Sequence, residues 1–206
     1  MASPEHLVWI DCEMTGLDPA QDALVEIACL VTDGDLNVLG EGIDVIIKPP
    51  AEALEGMGDF VRTMHATSGL LPLIDSGTTL EDAQQKVLAY VMEHVPQGKA
   101  PLAGNTVGMD RLFLDRYMPA LTAWLHYRVV DVSSIKELAR RWYPRTYFAA
   151  PAKTGAHRAL GDIKDSILEL QYYRATIMVA PPGPDTDAAR AAATKVTSTA
   201  KEAPAL

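Results

Sequence analysis

The sequence predicts an α/β fold, a mixed five-stranded sheet flanked by helices. Three runs rich in β-formers come first, at residues 7–10, 24–32 and 43–47. Later strand signals alternate with segments of helical periodicity, the order expected when helices cover a sheet. With 206 residues, 48% of them apolar, the chain has material for one core without staples.

Leu7-Val8-Trp9-Ile10 reads as a buried strand. The second and third runs are split by turn residues such as Asp33-Gly34-Asp35, and Pro49-Pro50 ends the third. Residues 78–95 form an amphipathic helix, because Leu80, Ala83, Val87, Leu88, Val91 and Val95 recur at helical spacing. Thr78 or Thr79 caps it, with Glu81 or Asp82 three residues on. Leu102-Ala103 is a short strand and residues 110–117 a short helix. Val129-Val130-Asp131-Val132 is the fifth strand, Ser133 opens a helix that runs to Trp142, and residues 159–177 are a long final helix. Residues 1–180 are expected to form one domain. Residues 181–206 open with Pro181-Pro182-Gly183-Pro184 and contain no aromatic residue. Such a segment cannot bury enough surface to offset ordering entropy. A mobile tail is expected there, with at most a marginal short helix around 188–196.

The chemistry starts at Asp11-Cys12-Glu13, directly after the first strand. Side chains at i and i+2 of a strand share a face, so both carboxylates project together. Buried side by side they are costly unless a positive charge sits between them, and a hard divalent cation suits carboxylate oxygen. A solvated strand end is the alternative for this pair alone. Asp110 follows the strand at Leu102-Ala103, and His157 precedes Asp162 by five residues, which puts a His on the lip of a helix and an Asp about one turn inside it. Four carboxylates and one imidazole from three segments match the inventory of a two-metal phosphodiesterase.

The stretches VWIDCEMTGL (8–17), HYRVVDVSSIKELARRW (126–142) and HRALGDI (157–163) resemble the DEDD-type 3′–5′ exonucleases of the subgroup with a His as general base. Within it they resemble the branch that degrades very short RNA. Proofreading exonucleases more often carry Thr and Glu-Thr after the first Asp, where this chain has Cys12 and Met14. The resemblance spans roughly residues 5–180 and implies a ribonuclease H-like fold. It also implies hydrolysis assisted by two Mg²⁺ or Mn²⁺ ions per active site, with Asp11 as bridging ligand and Glu13, Asp110 and Asp162 as the other carboxylates. His157 would take a proton from the attacking water, which suits an imidazole pKa near ~6.5. By itself, His157 also reads as a surface-loop histidine.

The same resemblance assigns substrate contacts. Leu17 would wedge against the terminal base, its alternative being an ordinary loop Leu. His65 would line the terminal nucleotide, or else lie on a helix surface. Phe60 stands where the branch usually carries a stacking Trp; an aromatic face is kept, and such stacking is worth roughly 1–3 kcal/mol. Arg128 and Ser133, with Thr106 and Tyr127 as partners, would cap the 5′ phosphate, Tyr127 from across a homodimer interface. The bland alternatives are a helix N-cap for Ser133 and a salt bridge for Arg128. Glu26, an acid in an otherwise apolar strand, reads as a buttress of the site rather than a further ligand. Asp18, Asp22, Asp33 and Asp35 read as solvated turn acids, and Arg140-Arg141 as a solvated helix face.

A formal net charge of −9 argues against a long duplex ligand but not against a short oligonucleotide. Cys12 and Cys29 are the only cysteines, read as reduced, packed thiols of a cytoplasmic protein. No signal-peptide pattern and no apolar run of about 18 residues is seen, so no membrane association is expected. The expected function is two-metal hydrolysis of RNA of about two to five nucleotides, linear dinucleotides included, to nucleoside 5′-monophosphates. The rivals are a broader exonuclease on single-stranded DNA or RNA, which the phosphate cap argues against, and a non-catalytic nucleotide-binding module, which the complete set of acids argues against.

Overall fold

The structure, a computed structural model, describes residues 5–153 and 157–202. Strand β1 (Leu7–Met14) pairs antiparallel with β2 (Leu24–Thr32), and β2 antiparallel with β3 (Val38–Ile46). On its other side β1 runs parallel to β4 (Pro101–Gly104), and β4 parallel to β5 (His126–Asp131). The order β3-β2-β1-β4-β5 is the mixed five-stranded sheet expected. Between β3 and β4 lie α1 (Ala51–Glu55), α2 (Asp59–Thr67), a 3₁₀ turn at Leu71–Ser76 and α3 (Leu80–His94). Helices α4 (Gly108–Tyr117) and α5 (Pro119–Trp124) join β4 to β5, and α6 (Val132–Trp142), α7 (Pro144–Phe148), α8 (Ala159–Thr176) and α9 (Thr186–Glu202) follow.

The sheet separates two cores. Alternation along β1 sends Val8, Ile10 and Cys12 to the face where Val87, Val91, Phe113 and Leu121 of α3, α4 and α5 cover them. Trp9 goes to the opposite face, against Ile163, Ile167 and Tyr173 of α8 and Ala139 of α6. Its indole N–H donates to Thr32 Oγ1 at 3.0 Å, so the buried ring leaves no polar atom unpaired. By the same period Asp11 and Glu13 follow Trp9 onto the α8 face. Strand β2, between β1 and β3, is buried along its whole length.

Several boundaries differ from expectation for identifiable reasons. Strand β1 continues through Met14, so Asp11 and Glu13 lie inside a paired strand, opposite Ala28 and Glu26. Strand β3 begins at Val38 rather than Ile43. Gly40 and Gly42, both at positive φ, and its exposed polar positions hide this edge strand from a hydrophobic pattern. A Cβ at Gly42 would meet Leu30 Cδ2 at 2.4 Å and the Cys29 carbonyl at 3.0 Å, so a side chain there would force Leu30 to shift, at a φ that already favours glycine. Thr79 caps α3, accepting from the Asp82 amide. Helix α6 starts at Val132 and is capped by Asp131, which accepts from the Ser133 amide at 2.9 Å; Ser133 is the second residue of the helix, not its cap. The segment expected to be a mobile tail carries helix α9, longer than the short helix expected, and residues 184–198 are exposed throughout. Ala-rich composition supports such a helix locally. The ends of the two expected segments, residues 1–4 and 203–206, lie outside the described residues.

Asp131 does more than cap. Its Oδ1 also accepts from the Thr106 amide at 3.0 Å and from the Ser133 hydroxyl, tying the turn after β4 to the start of α6. Asp131→Ala should lower the unfolding free energy by about 1 kcal/mol, the usual cost of a lost cap, or somewhat more because the Thr106 amide is released too. Equilibrium urea denaturation measures this; an unchanged midpoint would show that the cap is replaceable by water.

Candidate active site

Strand β4 ends at Gly104, level with Ile10 of β1, and its pairing with β1 is limited to Val8 and Trp9. Beyond that point β1 has no neighbour on this side, and the Cys12 amide would be left unpaired. Asp110, in the first turn of α4, supplies the acceptor: Cys12 N–H donates to its Oδ1 at 3.0 Å. The end of β4 thus opens a gap in the sheet, and the gap is filled by a carboxylate.

Oxygens of Asp11, Glu13 and Asp162 all lie within 4.8 Å of one another. Two come from one face of β1 and the third from the first turn of α8. Asp110 stands beside this group rather than in it, held by the Cys12 amide. The four acids expected together are therefore a trio and an adjoining fourth. Burial lifts the carboxyl of Asp11 well above its ordinary range, reinforced by the charges of Asp110 and Asp162. Burial and the neighbouring Glu26 push Glu13 to about 8, and burial raises Asp110 to about 7 against the pull of the Cys12 amide. Asp162 is raised by burial, with His157 acting in the opposite sense. Oxygen donors crowded to this extent, each reluctant to ionise alone, are the donor set that a hard divalent cation relieves. Cys12 points to the other core, and burial keeps its thiol protonated, which argues against redox chemistry beside the ligands.

His157 is exposed at the rim, with backbone φ of 46°. It faces α2 across a cavity of about 720 Å³ lined also by Asp59, Phe60, Thr63, Met64 and Thr67. Phe60 is 81% exposed there, free to present its ring. Leu17 is 70% exposed, at the tip of a loop that Asp22 organises. Asp22 accepts from the Thr15 hydroxyl at 3.0 Å and the Asp18 amide at 2.9 Å, and its carbonyl accepts from Tyr117 of α4 at 2.7 Å. A Cβ at Gly16 would lie 2.4 Å from Asp22 Oδ2, so glycine is required there. Asp22 is therefore a structural residue of the site rather than a solvated turn acid.

His65 is fully buried. Its Nε2 meets the Met14 carbonyl at 2.9 Å, and its Nδ1 lies 3.8 Å from Glu13. It sits beneath the carboxylates, not on the cavity wall where a nucleotide contact was expected. Thr106 and Ser133 are adjacent, the Thr106 amide donating to Ser133 Oγ at 3.1 Å. The helix-start donors expected to meet an anion are already engaged by Asp131. Tyr127 and Arg128 lie on the exposed edge strand β5, with the guanidinium 5.6 Å from the Tyr127 ring centre. Among the described residues no hydrogen bond joins Arg128 to Thr106 or Ser133. Arg140 and Arg141 pair with Glu137 on the same helix, in keeping with a solvated face.

Asp131, Asp22, Tyr117 and Arg158 are the supporting residues that sequence reasoning missed. Only Asp131 left a signal, two residues ahead of Ser133 at capping distance.

A mixed sheet that presents clustered carboxylates where its central strand loses a neighbour defines an exonuclease-type phosphodiester hydrolase. The Exonuclease family model (RNase_T) matches residues 8–170. An oligoribonuclease of Streptomyces coelicolor is 63% identical over 93% of this chain and 96% of its own length. That of Cutibacterium acnes is 64% identical over 87% and 90%. The chain belongs to the oligoribonuclease family of exonucleases. Among solved structures it is similar to E. coli ExoI bound to ssDNA, with TM-score 0.64 at 16% identity, covering 84% of this chain but 41% of that longer one; this shows the ribonuclease H-like fold alone. The protein is thus a metal-dependent 3′–5′ exoribonuclease.

A carboxyl whose pKa is raised on folding keeps its proton more readily in the native state, so its contribution is present at low pH and is lost as pH rises through the folded value. Metal-free protein should therefore lose thermal stability as pH rises from about 4, where these carboxyls ionise in the unfolded chain, up to about 7 and about 8, the folded values of Asp110 and Glu13, and level off above them. Added Mg²⁺ should flatten the dependence. Melting temperatures in chelator across this range test it; a flat profile without metal would mean that the carboxylates are not buried together.

Proposed function

We propose that this exonuclease removes nucleoside 5′-monophosphates from the 3′ ends of RNA of about two to five nucleotides, linear dinucleotides included, by two-metal-ion hydrolysis. The observation that carries the reading is the trio of Asp11, Glu13 and Asp162 within 4.8 Å, next to a cavity that His157 and Phe60 share. Two divalent ions, Mg²⁺ or Mn²⁺, held by Asp11, Glu13, Asp110 and Asp162, would supply an activated water and charge neutralisation at the scissile phosphate. The chain's own groups do the rest. His157 accepts the proton of the attacking water at its exposed ring. Phe60 stacks on the terminal base and Leu17 wedges beside it. His65 steadies Glu13 from below.

Length selection falls to the 5′ phosphate. Thr106 and Ser133 present hydroxyls on one side of the cap; Arg128, with its planar fork of donors, and Tyr127 supply the other. Strand β5 is an open sheet edge, and Tyr127, Val129, Leu138 and Trp142 are large exposed side chains on it and on α6. An apolar open edge favours pairing with a second copy, so the working form is a homodimer whose β5 residues complete the partner's cap. No helix among the described residues is long and apolar enough to cross a membrane, in keeping with a cytoplasmic enzyme.

Incubation with 5′-labelled RNA of two, five and twenty nucleotides and a DNA twenty-mer tests the reading. Expected is fast, chelator-sensitive cleavage of the dinucleotide, much slower cleavage of both twenty-mers, no turnover by Asp11→Ala, and slow but measurable turnover by His157→Ala, since a general base contributes roughly 10²–10⁴-fold. Equal or faster cleavage of long strands would favour the broader exonuclease. Arg128→Ala should weaken dinucleotide cleavage at least about tenfold, as loss of a charged phosphate contact does, while sparing a model phosphodiester without a 5′ phosphate. Equal losses on both substrates would sink the cap.

A further inference from the structure

His157 occupies a backbone conformation that a non-glycine residue rarely holds, with φ of 46°. Such a conformation costs on the order of 1–3 kcal/mol and persists only where the surroundings over-determine it. The next two residues show what does so. Arg158 is the N-cap of α8, yet its own side chain does not cap the helix. The acceptor comes instead from the sheet. Glu26, with no exposed surface, takes the Ala159 amide on Oε2 at 3.2 Å. Its Oε1 receives both Arg158 Nε at 2.8 Å and a terminal Arg158 nitrogen at 2.7 Å. Asp44 on β3 lies 3.7 Å from the same guanidinium. One buried carboxylate thus grips the side chain after His157 and the amide after that.

We infer that Glu26 is a positioning residue for His157: by holding Arg158 and the Ala159 amide it fixes the backbone from which the imidazole projects over the carboxylates. The inference rests on the reading of His157 as general base. It goes further in assigning a reaction role to a carboxylate of β2 that lies outside the ligand trio, and to an arginine whose Nε and one terminal nitrogen are committed to that carboxylate. A purely electrostatic role for Glu26 would act instead through Glu13, its cross-strand partner. The two roles predict different couplings.

The test is a double-mutant cycle on the full-length enzyme with a dinucleotide substrate. Glu26→Gln should lower kcat about ten- to a hundredfold, the penalty of a misplaced catalytic group, with KM and the Mg²⁺ midpoint held within about twofold. In a His157→Ala background the same substitution should cost less than about twofold, because residues that act as a unit are not additive. Arg158→Lys keeps a charge but cannot fork; it should show a smaller kcat loss, again silent without His157, and serves if Glu26→Gln does not fold. An equal loss with and without His157, a shifted Mg²⁺ midpoint that accounts for the loss, or full activity of both variants would overturn the inference. Full activity of His157→Ala alone would instead remove the general-base reading beneath it.

Discussion

Everything at this site follows from where like charges are buried. Asp11 and Glu13 share a face of the central strand because Trp9 does, and Trp9 faces α8 because its indole is packed against Ile163, Ile167 and Tyr173. The apolar pattern therefore fixes the register, and a one-residue slip would send both acids into the opposite core. Lifting Glu13 to about 8 amounts to a cost on the order of several kcal/mol for its charged form. Hydrophobic packing across two faces of the sheet can sustain that cost. The consequence is a pocket that is unfavourable for its own carboxylates until a cation shares them, and whose oxygen donors suit a hard divalent metal.

The order of elements was legible because it lies in long apolar runs and in the periodicity of α3. The acids were legible because i and i+2 of a strand, and a His five residues ahead of an Asp at a helix start, are local patterns. What escaped was whatever depends on pairing across the chain. The Cys12 amide needs Asp110 only because β4 stops early, and no local signal at residue 12 shows that. Edge strand β3 is polar and glycine-bearing, so burial leaves no trace in its sequence. His65 read as a nucleotide contact or a helix-surface residue, yet its position against Met14 and Glu13 buries it completely.

The same distinction separates the ligands from their supports. The candidate ligands come from one face of β1, where β4 has stopped, and from the first turns of α4 and α8. Supports such as Glu26, Asp22 and Asp131 sit one step behind and are spent on backbone amides and fixed partners. Asp22 holds the Leu17 loop through Thr15, Asp18 and Tyr117, and Tyr117 closes the same helix, α4, that carries Asp110. The exposed Leu17 loop and the Asp110 carboxylate are therefore linked through one helix, so that packing sets their relative position.

The phosphate cap shows how a solved local problem constrains function. Asp131 satisfies the donors at the start of α6 and the Thr106 amide together, which stabilises the turn but withdraws those amides from any anion. A helix start of this kind usually offers its amides to phosphate; here a carboxylate is already in place, and it would repel one. Net attraction for a 5′ phosphate must then come from a cation brought close to the Thr106 and Ser133 hydroxyls. Arg128 of the same chain lies on the open edge of β5 and makes no hydrogen bond to either residue. On the proposed homodimer, the partner's β5 edge would supply that charge, and the length limit would become a property of the assembly: hydrolysis would rest on the carboxylates and His157 of one chain, whereas the choice of a very short RNA would rest on two.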